Sequence, residues 1–284
     1  MPDAPPPGSR IAIIAGGGTL PGALRAHLVE RGHDVTTIAV AGEAGAEAPD
    51  ATVSIADVEG MFRALERARA THAVLVGWIR RRPRFTEGRI GRRSIAFVPR
   101  FVRALTRGDD AILRAVVEAL EARGVTVLGV HEVWPELLAE QGPLGRFAPT
   151  SRDEAAIALG REASQRLGEL DAGQAVVVVG RRIVALEGLE GTDEMLARVR
   201  ALRDAERIKA KARSGVLVKT CKPGQERRAD LPTIGPSTVE AAIGASLAGI
   251  AVEAGSSLVL DRERTVAIAD RGGLFLHGIP GNEE

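Results

Sequence analysis

The segment "IAIIAGGGTLPG", Ile11 to Gly22, constrains the fold more than any other. A continuous apolar run of five residues fits a strand buried on both faces, as parallel sheets require. Three glycines follow, and then Leu20, Leu24, His27 and Leu28 fall on one helical face up to the stop at "ERGHD". "VTTIAV" (Val35–Val40) reads as the next strand, completing a β-turn-α-β unit. The alternation continues with a strand at Thr52–Ile55, a helix near Val58–Ala70, a strand at Ala73–Gly77, a helix from Asp109 or Asp110, and a strand at Val125–Val130. Such alternation specifies a parallel sheet covered by helices on both faces. The expected fold class is therefore α/β, with a Rossmann-like N-terminal domain over residues 10–135.

Residues 136–150 are rich in Pro and Gly and read as a linker. Beyond it the pattern changes. Ser151 and Glu154 have capping-box spacing, opening a helix to about Leu167. "QAVVVVG" and "RRIVALEG" are two β runs joined at Gly180, a hairpin. A helix follows over residues 192–213 with Thr192 as N-cap. "GVLVK" is a strand, and Ser237 with Glu240 marks another capping box. "IAVEAG", "SSLVLD" and "TVAIAD" read as short β runs. This predicts a C-terminal α/β or α+β domain over residues 151–284. Residues 1–9, with four prolines, are expected to be a disordered leader without a secretory signal.

Composition excludes several functions. Net charge is +1, and there are no Tyr, two Trp and six Phe. Nucleic acid thus finds neither a bulk field nor a set of stacking platforms. No run of about 20 apolar residues exists to span a membrane, so a cytoplasmic protein is expected. The single cysteine, Cys221, makes no internal disulfide; it reads as a bystander.

Five constellations could carry chemistry. Gly16, Gly17 and Gly18 sit between a strand and a helix, where backbone N–H groups can approach a phosphate. Pro21 replaces the third glycine of the dinucleotide fingerprint, and Glu43 comes late for a ribose-binding acid, so a nucleotide-phosphate or sugar-phosphate site fits better than NAD. A tight packing turn explains the glycines equally well. "GWIRRRPRF" follows a parallel strand and offers Arg80, Arg81, Arg82 and Arg84 to phosphates. Asp109 and Asp110 open a helix, as metal ligands or as caps, capping being favoured for Asp109. Glu187, at a strand end, and Asp193, at a helix start, are oxygen ligands of the kind Mg²⁺ takes. Finally, "VKTCKPGQERRADLPTIGPST" gathers Lys219, Lys222, Glu226, Arg227, Arg228 and Asp230. Asp230 among these cations is expected to be ionised, able to bind Mg²⁺ or to act on water, with the cations holding a diphosphate.

The blocks "IAGGGTLP", "GDDAILR", "QGPLGRFAPT", "GQAVVVVGRRIVALEGLEGTDEML", "KPGQERRADLPTIGPST" and "GLFLHG" resemble, in this order, the LpxI family of UDP-2,3-diacylglucosamine pyrophosphatases of lipid A assembly in Gram-negative bacteria. The resemblance runs from about residue 10 to 279. It implies Mg²⁺-dependent hydrolysis of the diphosphate of a lipid-linked nucleotide sugar, giving UMP and 2,3-diacylglucosamine 1-phosphate (lipid X). It also implies substrate between two domains, a homodimer and peripheral contact with the inner membrane. It ties Asp230 to activity and matches Gln225 and Glu226 to the family's Q-E pair, so these three form the expected catalytic group; the residues themselves, rather than the resemblance, make Asp230, Glu187 and Asp193 the expected metal ligands. Gly16, Gly17, Gly18, Thr19, Arg80, Lys222, Arg227, Arg228 and Thr233 form the expected substrate-binding set. The arginine loop departs from the family pattern, being a residue longer and more basic. A nucleotide-sugar oxidoreductase and a non-catalytic nucleotide or lipid sensor are the alternatives.

Overall fold

The computed structural model describes residues 5–43, 45, 47–79, 98–105, 107–209 and 213–281. The chain forms two compact units. The first comprises Met1–Glu136 together with Glu226–Asp230, and the second Leu137–Gln225 with Leu231–Glu284. Five residues of the charged stretch thus belong to the N-terminal unit although they lie far downstream in sequence.

In the first unit the described elements are β1 (Arg10–Ala15), α1 (Leu20–Glu30), β2 (Asp34–Val40), β3 (Ala51–Val53), α2 (Val58–Arg67), β4 (His72–Val76), α3 (Val98–Leu105), α4 (Asp109–Glu121), β5 (Thr126–Leu128) and the single turn α5 (Val130–Val133). The strands line up β3-β2-β1-β4-β5, and every pairing is parallel. The apolar run of β1 explains its central place: Ile11, Ala12, Ile13 and Ala15 are fully buried, and α1, whose Leu24 and Leu28 are buried, packs on one side. On the other, Val117 and Leu120 of α4 pack with Phe62 of α2, Ile38 and Val127. Burying these side chains contributes about 1.5–3 kcal/mol each before the entropy of ordering them is subtracted. Ahead of β1, Gly8 N–H donates to the Gly32 carbonyl at 3.2 Å and Ser9 N–H to that of Pro6 at 3.1 Å.

The second unit has a six-stranded sheet ordered β6-β13-β11-β9-β7-β8, built from β6 (Gly142–Pro143), β7 (Ala175–Val179), β8 (Arg182–Leu186), β9 (Val216–Lys219), β11 (Gly249–Glu253) and β13 (Phe275–Ile279). β9, β11 and β13 run parallel; the β7–β8 hairpin is antiparallel and carries an irregularity at Val177/Val178. Helix α6 (Ser151–Glu169) covers one face, setting Ala156 and Ile157 against Val176, Val178, Val216 and Val218. Helices α7 (Thr192–Asp204), α8 (Pro236–Gly244) and α9 (Arg262–Arg271) cover the other, setting Met195, Leu196, Val239, Ala242 and Ala269 against Ala175, Val177, Leu217 and Ile250. β10 (Thr233–Ile234) and β12 (Leu258–Val259) form a short parallel pair.

Several local expectations are corrected. Thr150, not Ser151, caps α6: Asp153 accepts from its N–H at 3.0 Å and from its hydroxyl at 2.7 Å. Gly191, at φ +83°, caps α7, so Thr192 is the first helical residue and its hydroxyl is released for another partner. Pro236 opens α8 behind Gly235, in place of a Ser237 cap; proline suits the first turn because its missing N–H would be orphaned anyway. α7 stops at Asp204 rather than running to residue 213. β5 ends at Leu128, and the chain turns at once into α5. The "TVAIAD" run lies in helix α9, with Thr265 and Ala269 buried four residues apart. A short apolar run satisfies either period, and here the flanking charges and the buried i, i+4 pair decide for helix.

Candidate functional site

In open parallel sheets, ligands bind beyond the carboxyl ends of the strands, at the point where strand order reverses. In the first unit that point lies between β1 and β4, and the glycine turn occupies it. Gly16 N–H donates to Val76 O at 2.8 Å, Gly17 N–H to Trp78 O at 2.7 Å, and Trp78 N–H returns to Gly17 O at 3.2 Å. Two of the three glycine amides are therefore engaged by the end of β4. A Cβ at Gly16 would lie 2.5 Å from Trp78 O, and one at Gly17 would lie 2.2 Å from Trp78 Nε1. Close packing against Trp78 thus accounts for the first two glycines, and Gly18 has φ +100°, a left-handed conformation that glycine adopts without strain. The amides that remain for an anion are those of Gly18, Thr19 and the first turn of α1. Thr19 is the N-cap of α1, and its side chain makes no capping bond. Trp78 itself is 52% exposed. Arg80 and the rest of the arginine loop, Arg81, Arg82 and Arg84, lie outside the described residues.

The segment Glu226–Asp230 is fixed to this same sheet edge. Asp110, in the first turn of α4, accepts from Glu226 N–H at 2.7 Å through one oxygen and from Arg114 at 2.6 Å through the other. Ala229 packs against the first unit's core, and the Cα of Arg228 lies 3.2 Å from where a Cβ on Gly129 would stand, just past β5. Arg228 grips Glu226 through Nε at 2.8 Å and through a second nitrogen at 2.9 Å, and reaches Glu121 at 2.6 Å. These hydrogen bonds hold the Glu226 carboxyl below its usual range against the opposing effect of burial, and they raise the Arg228 guanidinium further above its own. Glu226 is thus an acid pinned by a cation within this stretch. Asp230 follows, half-buried, with its N–H on the Glu226 carbonyl at 3.1 Å. Arg227 is exposed on the same loop.

His131 belongs to this edge as well, and the sequence reading passed over it. Its Nδ1 is buried without a hydrogen-bond partner among the described residues, and its ring would collide with a Cβ on Gly129. Burial pushes its pKa down; Glu132 opposes this and the charge of Arg227 adds to it. The available signal was its place, three residues past β5 at the carboxyl edge.

The other predicted residues lie in the second unit. Gln225 is buried and braces a turn: its Oε1 accepts from Lys222 N–H at 2.8 Å and from the Cys221 thiol at 3.2 Å. Lys222 pairs with Asp171 at 2.7 Å. Glu187 is buried, and both of its oxygens are engaged, one by Gln174 N–H at 2.9 Å and the other by the Thr192 hydroxyl. Asp193 is exposed on the first turn of α7. The Thr233 hydroxyl donates to Leu231 O at 2.9 Å. Lys219, at the carboxyl end of β9, donates to Thr192 Oγ1 and to Thr233 O, both at 3.2 Å. Among the described residues no three His, Cys, Asp or Glu side chains cluster as a metal cage, and no helix is long and apolar enough to cross a membrane.

With this geometry in place, the comparisons with known proteins are specific. Residues 10–137 match the family model of the LpxI N-terminal domain, and residues 140–277 that of the LpxI C-terminal domain. The chain is 39% identical over 277 residues to the UDP-2,3-diacylglucosamine pyrophosphatase LpxI of Caulobacter vibrioides, covering 96% of this chain and 99% of the relative.

Proposed function

The chain belongs to the LpxI family, and on that premise we propose that it hydrolyses the diphosphate bond of UDP-2,3-diacylglucosamine to UMP and 2,3-diacylglucosamine 1-phosphate, a step of lipid A assembly. One observation carries the reading at the level of the site. The most distinctive sequence block, Glu226–Asp230, leaves its own half of the chain and joins the first unit, at the sheet edge where its Rossmann-like strand order would place a nucleotide.

In this reading Asp230 orients the attacking water and accepts its proton. A water oxygen bonds to phosphorus, the bridging P–O bond breaks, and the departing phosphate carries the charge away. Arg227 and the amides of Gly18 and Thr19 meet phosphate oxygens, while the Arg228–Glu226 pair keeps the loop in place. His131 stands ready to move a proton at Nδ1.

Mg²⁺ is usually held by one or two carboxylates together with substrate phosphates, and Asp230, half-buried on an anchored loop, fits that role. Glu187 and Asp193 fit it less well: Glu187 would have to give up two hydrogen bonds, and Asp193 stands on an exposed helix surface. When bound, the ion would neutralise charge on the diphosphate. A homodimer and peripheral membrane contact belong to the same proposal. β8, the last strand of its sheet, exposes Ile183 and Leu186, and Leu189 beyond it is 89% exposed, apolar surface suited to either.

The test is incubation of the folded protein with UDP-2,3-diacylglucosamine and Mg²⁺. UMP and the sugar 1-phosphate should appear in equal amounts; intact substrate after exhaustive incubation would overturn the assignment.

A further inference from the structure

Lys219 is the anomaly among the cations of the charged stretch. Lys222 and Arg228 each hold a carboxylate, at 2.7 Å and 2.8 Å. Lys219 is more buried than either, at 7% relative exposure, yet its ammonium forms no ion pair with a described residue. Its two hydrogen bonds go to neutral oxygens, Thr192 Oγ1 and Thr233 O. An ammonium has three N–H donors, so one remains. Buried charges are retained where something pairs with them.

The surroundings sharpen the point. Thr192 is the first residue of the 13-residue helix α7, and Thr233 lies three residues ahead of Pro236, the first residue of α8. Helix N-termini carry partial positive charge, so an ammonium beside them is opposed until an anion joins it. Three acids belong to this neighbourhood. Asp193 and Glu194 are exposed in the first turn of α7. Glu187 is reached only through Thr192, whose hydroxyl donates to it. That donation turns the lone pairs of Thr192 Oγ1 toward Lys219, so Glu187 positions the ammonium without saturating it.

We propose that Lys219, set beside the start of α7 and ahead of α8, forms an anion subsite of the second unit that takes a phosphate group. The proposal deepens the hydrolase reading and rests on it only in naming that phosphate as part of the substrate or a product. Both a nucleoside monophosphate and a sugar 1-phosphate carry the required chemistry.

The experiment titrates the full-length protein with inorganic phosphate, UMP and glucosamine 1-phosphate by calorimetry at low ionic strength, beside Lys219→Met and Lys219→Gln. The wild type should bind at least one of the three, and both variants should bind it about ten- to a hundredfold more weakly, the loss of a charge-assisted hydrogen bond. Tighter binding of UMP, or of glucosamine 1-phosphate, assigns the source. Without ligand the variants should melt no lower than the wild type, and phosphate should raise the melting temperature of the wild type alone. Equal binding by all three proteins, or no binding by the wild type, overturns the proposal. Loss of fold in both variants overturns it too, because a side chain held for an incoming anion is dispensable to the empty protein. Absence of UMP release by the wild type would instead remove the hydrolase reading and leave the titration standing.

Discussion

Replacing Arg228 with alanine should separate the positioning of the Asp230 loop from its chemistry. The guanidinium makes two bonds to Glu226 and one to Glu121. The Glu226 side chain is 11% exposed and that of Arg228 32%, whereas Glu121 is 40% exposed. Hydrogen bonds to charged groups contribute about 1.5–3 kcal/mol net, and the exposed Glu121 contact about 0–1 kcal/mol. After discounting for the solvent that reaches Arg228, the loss should be roughly 2–3 kcal/mol, visible as a lower urea midpoint at unchanged slope. The Glu226 N–H bond to Asp110 survives the substitution, so the loop should shift rather than detach. A misplacement of that size should lower kcat about ten- to a hundredfold. Glu226→Gln should cost less, and a double-mutant cycle should return about 1–2 kcal/mol of coupling. An Arg228→Ala protein with wild-type kcat and a stability change under about 0.5 kcal/mol would refute the claim that this pair sets the loop.

Three further outcomes follow from the geometry. Gly16→Ala should destabilise more than Gly17→Ala, because the first Cβ meets backbone at Gly77 and Trp78 and the second meets the indole; the exposed ring can swing away, so Gly17→Ala should cost about 1–3 kcal/mol and change Trp fluorescence. Acidification should destabilise the protein in two stages. Burial lowers the folded-state pKa values of His27, His72, His131 and His277 below the ordinary imidazole value of 6.5, so the stability their neutral forms contribute is complete above that value and is lost as pH falls below it. Hydrogen bonds from Arg228 lower the Glu226 carboxyl; its contribution is complete above the ordinary carboxyl value of 4.5 and is lost as pH falls through the depressed folded value. Glu226→Gln should therefore flatten only the lower stage of a pH series of melting temperatures, and a steepened upper stage in that variant would contradict the assignment.

Much of the first unit was legible because its strands are buried on both faces and its helices show one apolar stripe. The β1–turn–α1–β2 unit needed nothing beyond that. The second unit was harder. "TVAIAD" alternates like a strand, and the flanking charges together with the burial of Thr265 and Ala269, four residues apart, make it a helix. Capping residues were misplaced by one or two positions wherever Gly or Pro competed with Ser or Thr, as at Gly191 and Gly235. The charged stretch announced a site, but no local rule says that Glu226–Asp230 joins one unit while Lys219 and Gln225 belong to the other. Nor could spacing reveal that Arg228 takes Glu226, that Lys222 takes Asp171, and that Lys219 takes no acid among the described residues. Those pairings depend on residues such as Glu121, Asp171 and Thr192, which lie 27 to 107 positions away.

The central claim is that the Asp230 carboxylate acts on water or a metal at the carboxyl edge of the parallel sheet. Single-turnover hydrolysis by Asp230→Asn, beside a binding titration with UDP-2,3-diacylglucosamine, tests it most directly. The account predicts an unchanged melting curve, retained substrate affinity and a turnover rate reduced by about a thousandfold or more. Near-normal turnover by that folded variant would contradict it.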